Sequence, residues 1–325
     1  MTAPSNSDTL VTVYGGSGFL GRHLVRALAK RNYRIRVAVR RPELAFHLQP
    51  LGKVGQIHAV QANIRDAGSI AAAARGASVL INLVGILQEG GRQRFGTVHA
   101  HGAEQVALAA NAHGARMIHV SAIGADENSP VGYARSKGEA ERLVLAAQPG
   151  AIIMRPSILF GPEDDFFNRF AALARMSPVL PLIGGGHTKF QPVFVGDVAT
   201  AIADAVDGRL EAGATYELGG PSVKTFKELM QFILATIERK RLLVPLPFFA
   251  ARFKARFLQF APSPLTLTPG QVDMLRTDNI VSDAAIAAKH TLPGIGITPE
   301  PMEAIVPSYL WRFRKTGQFK SRATA

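Results

Sequence analysis

A chain of 325 residues with 47% hydrophobic content is long enough to bury one large core or two smaller ones. It contains no cysteine, which excludes a disulfide framework, a thiolate metal site and a cysteine nucleophile. A formal net charge of +13 points to an acidic partner: a phosphorylated cofactor, an anionic membrane surface, an acidic protein or nucleic acid.

The polar N-terminus has no basic stretch followed by an apolar one, so no signal peptide is expected. No apolar run approaches the roughly 20 residues of a membrane-spanning helix. The first few residues and the basic tail after Phe313 are expected to lack order. The first element is an apolar run from Val11 to Tyr14. It ends in Gly15-Gly16-Ser17-Gly18-Phe19-Leu20-Gly21, and a helical pattern follows through Leu20, Leu24, Val25 and Leu28. That is strand, tight turn and helix. Missing Cβ atoms let backbone N–H groups approach a dinucleotide pyrophosphate, and the helix N-terminus adds unpaired donors and partial positive charge. A glycine triplet alone also fits an ordinary turn. The next strand, Arg34–Val39, favours the dinucleotide.

That strand ends in Arg40-Arg41-Pro42, where an acidic residue would bind the ribose 2′-hydroxyl of NAD. Two guanidinium groups favour a 2′-phosphate instead, so NADP(H) is expected over NAD(H); a solvated charge pair is the bland alternative. A third strand, Gln56–Ala62, leads to Asn63 and Ile64, placed to meet the adenine. A fourth, Val79–Val84, runs through Asn82, Leu83 and Val84 to Gly85, a small apolar turn along which a cofactor can lie. Further strands are expected at Met117–Ser121 and Ala151–Arg155, with helices at Ala67–Arg75, Val98–His113 and Gly132–Ala147. This alternation predicts an α/β fold, a doubly wound parallel sheet with helices on both faces.

Tyr133 and Lys137 stand four apart at the start of the third of those helices, on one face. The ammonium would lower the phenol pKa toward a range useful for proton transfer, and it could hold a nicotinamide ribose. A solvent-facing pair is the alternative. His99 and His101 have no carboxylate or thiolate at ligand spacing, so no metal is expected. Without a recognised module, no nucleic acid is expected either.

Beyond Gly161 glycine and proline become frequent. Residues 1–160 are expected to form the dinucleotide-binding domain, with 190–212 returning to it. Residues 161–189 and 213–325 would form a smaller lobe. There Thr225 is the expected N-cap of a helix, with Glu228 completing a capping box. Within the lobe, 239–260 is basic and phenylalanine-rich. On a helix, Phe249, Phe253, Phe257 and Phe260 fall within about 80° of one another. Two readings stay open: a core-facing helix with a solvated basic edge, or a helix that docks on protein or on an anionic membrane surface.

Taken together the motifs resemble the extended short-chain dehydrogenase/reductase superfamily, which includes NAD-dependent epimerases and dehydratases. The resemblance rests on Gly15–Gly21, Asn82–Gly85, the strand ending in Ser121, Tyr133 with Lys137, Arg155–Pro162, Gln191–Ala199 and Tyr216–Gly220, all in the family's order. Ile118–Ser121, Gln191-Pro192-Val193 and Leu246-Pro247-Phe248-Phe249-Ala250 look like one branch, the NADPH-binding accessory subunits of respiratory complex I and their bacterial relatives.

The resemblance implies a Rossmann-type domain with a smaller C-terminal α/β lobe and a tightly held NADPH. It implies a cofactor-bearing or assembly role beside a membrane quinone-reducing complex, with respiratory-complex subunits as partners. The place would be cytoplasmic, peripheral on the inner face of the membrane. It also implies that Pro156, Ser157 and Ile158 face the nicotinamide carboxamide. The rival is a free-standing NADP-dependent oxidoreductase or nucleotide-sugar epimerase, with Tyr133 as acid–base, Lys137 tuning it and Ser121 orienting a carbonyl. Two departures bear on that rival: Ser121 is followed by Ala122-Ile123-Gly124, without further hydroxyls, and His99 stands where the family often has asparagine.

Overall fold

The computed structural model describes residues 6–262 and 264–317; the expectations for residues 1–5 and for the tail from 318 on lie outside the described residues. Backbone contacts divide the chain into two compact units. The first takes the chain up to Pro156 with Val195–Leu218 and Ser282–Ile297. The second takes Ser157–Phe194, Gly219–Val281 and the chain from Thr298.

The first unit is built on seven strands: β1 (Leu10–Tyr14), β2 (Arg34–Val39), β3 (Ile57–Gln61), β4 (Val79–Asn82), β5 (Arg116–Val120), β6 (Ile152–Pro156) and β7 (Thr215–Leu218). Their order is β7-β6-β5-β4-β1-β2-β3, and every pairing is parallel. Val11, Thr12 and Val13 at its centre are fully buried, as expected of a strand covered on both faces. β1 pairs with β2 on one side, Val11 opposite Ile35, and with β4 on the other, Val11 opposite Val79. Strand order reverses there. The Gly15 N–H donates to the Ala38 carbonyl at 3.0 Å and the Leu83 N–H to the Tyr14 carbonyl at 3.0 Å. The loops after β1 and β4 thus part at the carboxyl edge, where open α/β sheets take ligands.

Helices α1 (Phe19–Lys30), α2 (Ala67–Ala74), α3 (His101–Ala112), α4 (Gly132–Ala147) and α6 (Val195–Val206) cover the sheet; α5 (Phe166–Met176) belongs to the second unit. The helix-spaced Leu24, Val25 and Leu28 of α1 are fully buried, each worth about 1.5–3 kcal/mol on burial. α1 packs against α6. α2, α3 and α4 share a core with Leu80, Met117 and Ile153, filled by small residues such as Ala103, Ala107 and Ala140. The expected helix from Val98 divides in two: a π-helical turn, Gly96–Ala100, precedes α3.

Several segments depart from the expected division, Ser157–Phe160 among them, which fall in the second unit. Thr215–Leu218 adds a parallel strand beside β6, where a second-lobe element was expected. Residues 282–297 join the same unit: the Ser282 N–H donates to Glu217 Oε2 at 2.8 Å and the Glu217 N–H to the His290 carbonyl at 2.9 Å. The residues just before α6 do not return to the large sheet, since Val193–Phe194 pairs with Leu159–Phe160 instead.

In the second unit, Val179–Ile183 pairs in parallel with Leu242–Leu246. α5 and α7 (Phe226–Thr236) share a core of Phe160, Phe167, Phe226, Leu229 and Ile233. The capping box at Thr225 and Glu228 is present in both directions, and Asp164 caps the start of α5 by accepting the Phe167 and Asn168 N–H groups. Helix α8 (Phe248–Leu258) buries only Ala251 and Ala255 completely. Phe249, Phe253 and Phe257 are 77%, 62% and 66% exposed, and Phe260, beyond the helix, is 84% exposed. The core-facing reading of the phenylalanine stripe is therefore overturned: the alanines pack inward and the large rings point away.

Candidate functional site

The turn after β1 is shaped by its glycines. Gly15 has φ +80°, and a Cβ there would come within 3.1 Å of Val84 Cγ2. A Cβ on Gly21 would lie 2.5 Å from the Gly16 carbonyl carbon and oxygen, so α1 can seat on the turn only with glycine here. Gly18 caps α1 without a side chain, and the first helical bond runs from the Arg22 N–H to its carbonyl at 3.0 Å. The preceding amides of Phe19, Leu20 and Gly21 have no intrahelical acceptor and carry the positive end of the helix dipole.

A cleft of about 280 Å³ opens over this turn. Of the residues expected at a cofactor, Gly15, Ser17, Gly18, Arg40, Asn63, Ile64, Leu83, Val84 and Gly85 line it. Gly16, Phe19, Leu20, Gly21, Arg41, Tyr133, Lys137, Pro156, Ser157 and Ile158 do not. Ala38, Val39, Ala62, Arg65, Ile86, Gln93 and Val98 line it unanticipated. Strand-end neighbours such as Ala38 and Ala62 could have been found by extending each strand's inward face. Arg65 and Gln93 depend on loops that no local pattern places, and Val98 on the π-helical turn Gly96–Ala100. Arg40 and Arg41 are both exposed, and neither is ion-paired among the described residues. The residues present fit a dinucleotide: glycines whose Cβ atoms would fill the turn, free helix amides and an unpaired guanidinium.

Beyond Gly85 lies a buried polar cluster. A Cβ on Gly85 would sit 3.6 Å from both Lys137 Nζ and His99 Nε2. Lys137 is 5% exposed, and its amine donates to the Val120 carbonyl at 3.1 Å. Burial pushes its pKa down to about 8, against the pull of Glu141. Burial pushes the Tyr133 phenol up to about 12. The expectation that Lys137 lowers the Tyr133 pKa fails here, because the amine is turned to the end of β5 and does not act on the phenol.

Asn82 accepts the Val84 N–H at 3.0 Å through Oδ1, so its Nδ2 donates to His119 Nδ1 at 3.3 Å. His119 Nε2 and Ser121 Oγ, both buried, have no hydrogen-bond partner among the described residues. Burial, then Lys137, then His99 keep His119 neutral. Just past the end of β5, Ser121 thus presents a buried hydroxyl, unengaged among the described residues, two residues from an equally unengaged imidazole N–H. Ser157 and Ile158 behave otherwise. The Ser157 hydroxyl lies 2.7 Å from Asn279 Oδ1, and the Ile158 N–H donates to the same oxygen at 3.2 Å. The Pro156 carbonyl accepts the Ile123 N–H at 3.1 Å.

The sequence model of the NAD dependent epimerase/dehydratase family matches residues 11–219. The chain is 39% identical to the mitochondrial NADH dehydrogenase (ubiquinone) 1 alpha subcomplex subunit 9 of Arabidopsis thaliana, over 96% of this chain and 80% of that one. It is also 39% identical to a ceramide reductase of Caulobacter vibrioides, over 54% of each chain. In fold it is similar to the Escherichia coli NADPH-dependent quinone oxidoreductase solved with NADPH, with a TM-score of 0.73 and 20% identity over 93% of this chain and 99% of that one. The chain belongs to the NAD dependent epimerase/dehydratase family and stands with the complex I alpha subcomplex subunit 9 proteins among its relatives.

Proposed function

We propose that this protein is an NADP(H)-bearing accessory subunit of a membrane NADH:quinone oxidoreductase of the complex I type. The observation that carries the cofactor reading is the cleft over the glycine turn with Arg40 on its wall and, among the described residues, no carboxylate paired to it. The diphosphate would lie against the amides of the first turn of α1, and Arg40, with Arg41 beside it, would take the 2′-phosphate. Asn63 and Ile64 would flank the adenine, leaving the nicotinamide half toward Gly85 and Lys137. When bound, NADPH supplies a hydride; the chain's own residues hold and orient the nucleotide.

Kinship with subunit 9 over nearly the whole chain supports the assembly role. The exposed phenylalanines of α8, flanked by exposed Arg252, Lys254 and Arg256, support contact with an anionic bilayer through 239–260. No helix among the described residues is long and apolar enough to cross a membrane, so this contact would be peripheral, at the inner face of the membrane.

A second reading is favoured by one observation, the unengaged Ser121 hydroxyl in the same buried cluster as Lys137. It makes the chain a reductase in its own right, as the name of the Caulobacter relative says of that protein. Affinity capture from native membranes separates the two. Recovery with the quinone-reducing complex and a stoichiometric NADP(H) supports the subunit. Recovery alone, with carbonyl reduction abolished by Tyr133→Phe, supports the reductase and refutes the subunit.

A further inference from the structure

We propose that His99 is a positioning residue that ties the cleft wall at Gly85 and Ile86 to the helix carrying Tyr133 and Lys137, fixing the register of the nicotinamide half. The inference rests on the NADP(H) reading. The Ile86 N–H donates to His99 Nε2 at 2.9 Å, so that nitrogen must carry a lone pair. The proton is then on Nδ1, which donates to Ser136 Oγ at 2.9 Å. Ser136 in turn donates to the Tyr133 carbonyl at 2.8 Å. Each bond fixes the direction of the next, and one neutral tautomer satisfies them all.

The ring is held on its faces as well. It stacks on Phe95 at 5.3 Å and meets Tyr133 edge-on at 5.6 Å. It is 1% exposed and sits in the π-helical turn Gly96–Ala100, a local irregularity that recurs at functional sites. Protonation would set two donors against each other at Ile86. Burial first, then Lys137, keep the pKa down at about 3, so the link stays neutral across the physiological range. Ile86 lines the cleft, and Ser136 lies between Tyr133 and Lys137 in sequence. A shift of the imidazole would therefore move the cleft wall and α4 relative to each other. Among the described residues, no hydrogen bond joins Arg40 to this chain of bonds.

The test compares two ligands on the full-length protein: NADPH, and adenosine 2′,5′-bisphosphate, which has only the adenine half. His99→Phe keeps the ring volume and removes both hydrogen bonds. It is expected to weaken NADPH about tenfold while leaving the bisphosphate within about twofold. His99→Gln can accept from Ile86 and donate to Ser136, and should recover most of the loss. Should His99→Phe fail to fold, Ser136→Ala cuts one bond with little change of volume and should weaken NADPH alone by about threefold. An equal loss of both ligands, or no loss of NADPH, overturns the positioning role while leaving the cofactor reading intact. A wild-type chain that binds neither ligand overturns both.

Discussion

Lys137→Met should make the cofactor-free protein more stable at neutral pH and weaken its grip on NADPH. The lysine is 5% exposed, and burial takes its pKa from 10.5 down to about 8. At about 1.4 kcal/mol per pH unit, that displacement corresponds to about 3 kcal/mol held against the folded, charged state. Methionine removes the donor to the Val120 carbonyl, which costs about 1 kcal/mol, leaving a net gain of about 2 kcal/mol near pH 7. The folded pKa lies below the unfolded one. Between about pH 8 and pH 10.5 the unfolded chain keeps a proton that the folded chain has released, so wild-type stability rises with pH across that window. The methionine variant lacks this rise, and its advantage should shrink as the pH passes 8. Urea unfolding of both proteins on either side of that pH measures the effect. A variant less stable than wild type near pH 7, or an advantage that does not change with pH, refutes the reasoning. An opposing loss of NADPH affinity is expected because the buried charge sits beside Gly85, on the cleft wall.

Gly21→Ala places a methyl 2.5 Å from the Gly16 carbonyl, an overpacking that should cost about 1–3 kcal/mol; a thermal scan should show a lower Tm and titration a loss of NADPH binding. Phe249→Ser, Phe253→Ser and Phe257→Ser combined should release the protein from vesicles containing anionic lipid, since each inserted ring is worth about 1.5–3 kcal/mol. Because the rings are exposed, Tm should barely move; a collapse of Tm would mean that the face is packed after all. Thr225→Ala breaks the capping box of α7 and should cost about 1 kcal/mol in unfolding free energy.

What could be read from the sequence was what neighbouring residues decide. The turn at Gly15–Gly21 is legible because a strand, three glycines and a helix-spaced apolar stripe are local, and the capping box at Thr225 is legible for the same reason. The orientation of α8 is not. A phenylalanine stripe shows that a helix has two faces, and the usual rule of burying the larger apolar side chains would have turned it inward. Ala251 and Ala255 pack into one buried cluster with Ile183 and Val272, a fact of tertiary packing.

Lys137 teaches the same lesson at smaller scale. Spacing of four puts it on the face of Tyr133, but the Val120 carbonyl at the end of β5 decides where the amine goes. The pairing of β7 with β6, the docking of 282–297 on Glu217 and the His99 link all join residues distant in sequence with no local signature. Arg40 was found because strand ends in a doubly wound sheet are predictable. Gln93 was not, because it reaches the cleft from a loop.

In the proposed function, a nucleotide with a phosphorylated ribose lies in the cleft above the first glycine turn. Calorimetric titration of nucleotide-free protein with NADPH and NADH, repeated on Arg40→Ser, tests it most directly. The account predicts one NADPH per chain, bound more tightly than NADH by the wild type, and a preference that largely disappears in the variant. No binding of either nucleotide, or equal affinity for both in the wild type, would contradict it.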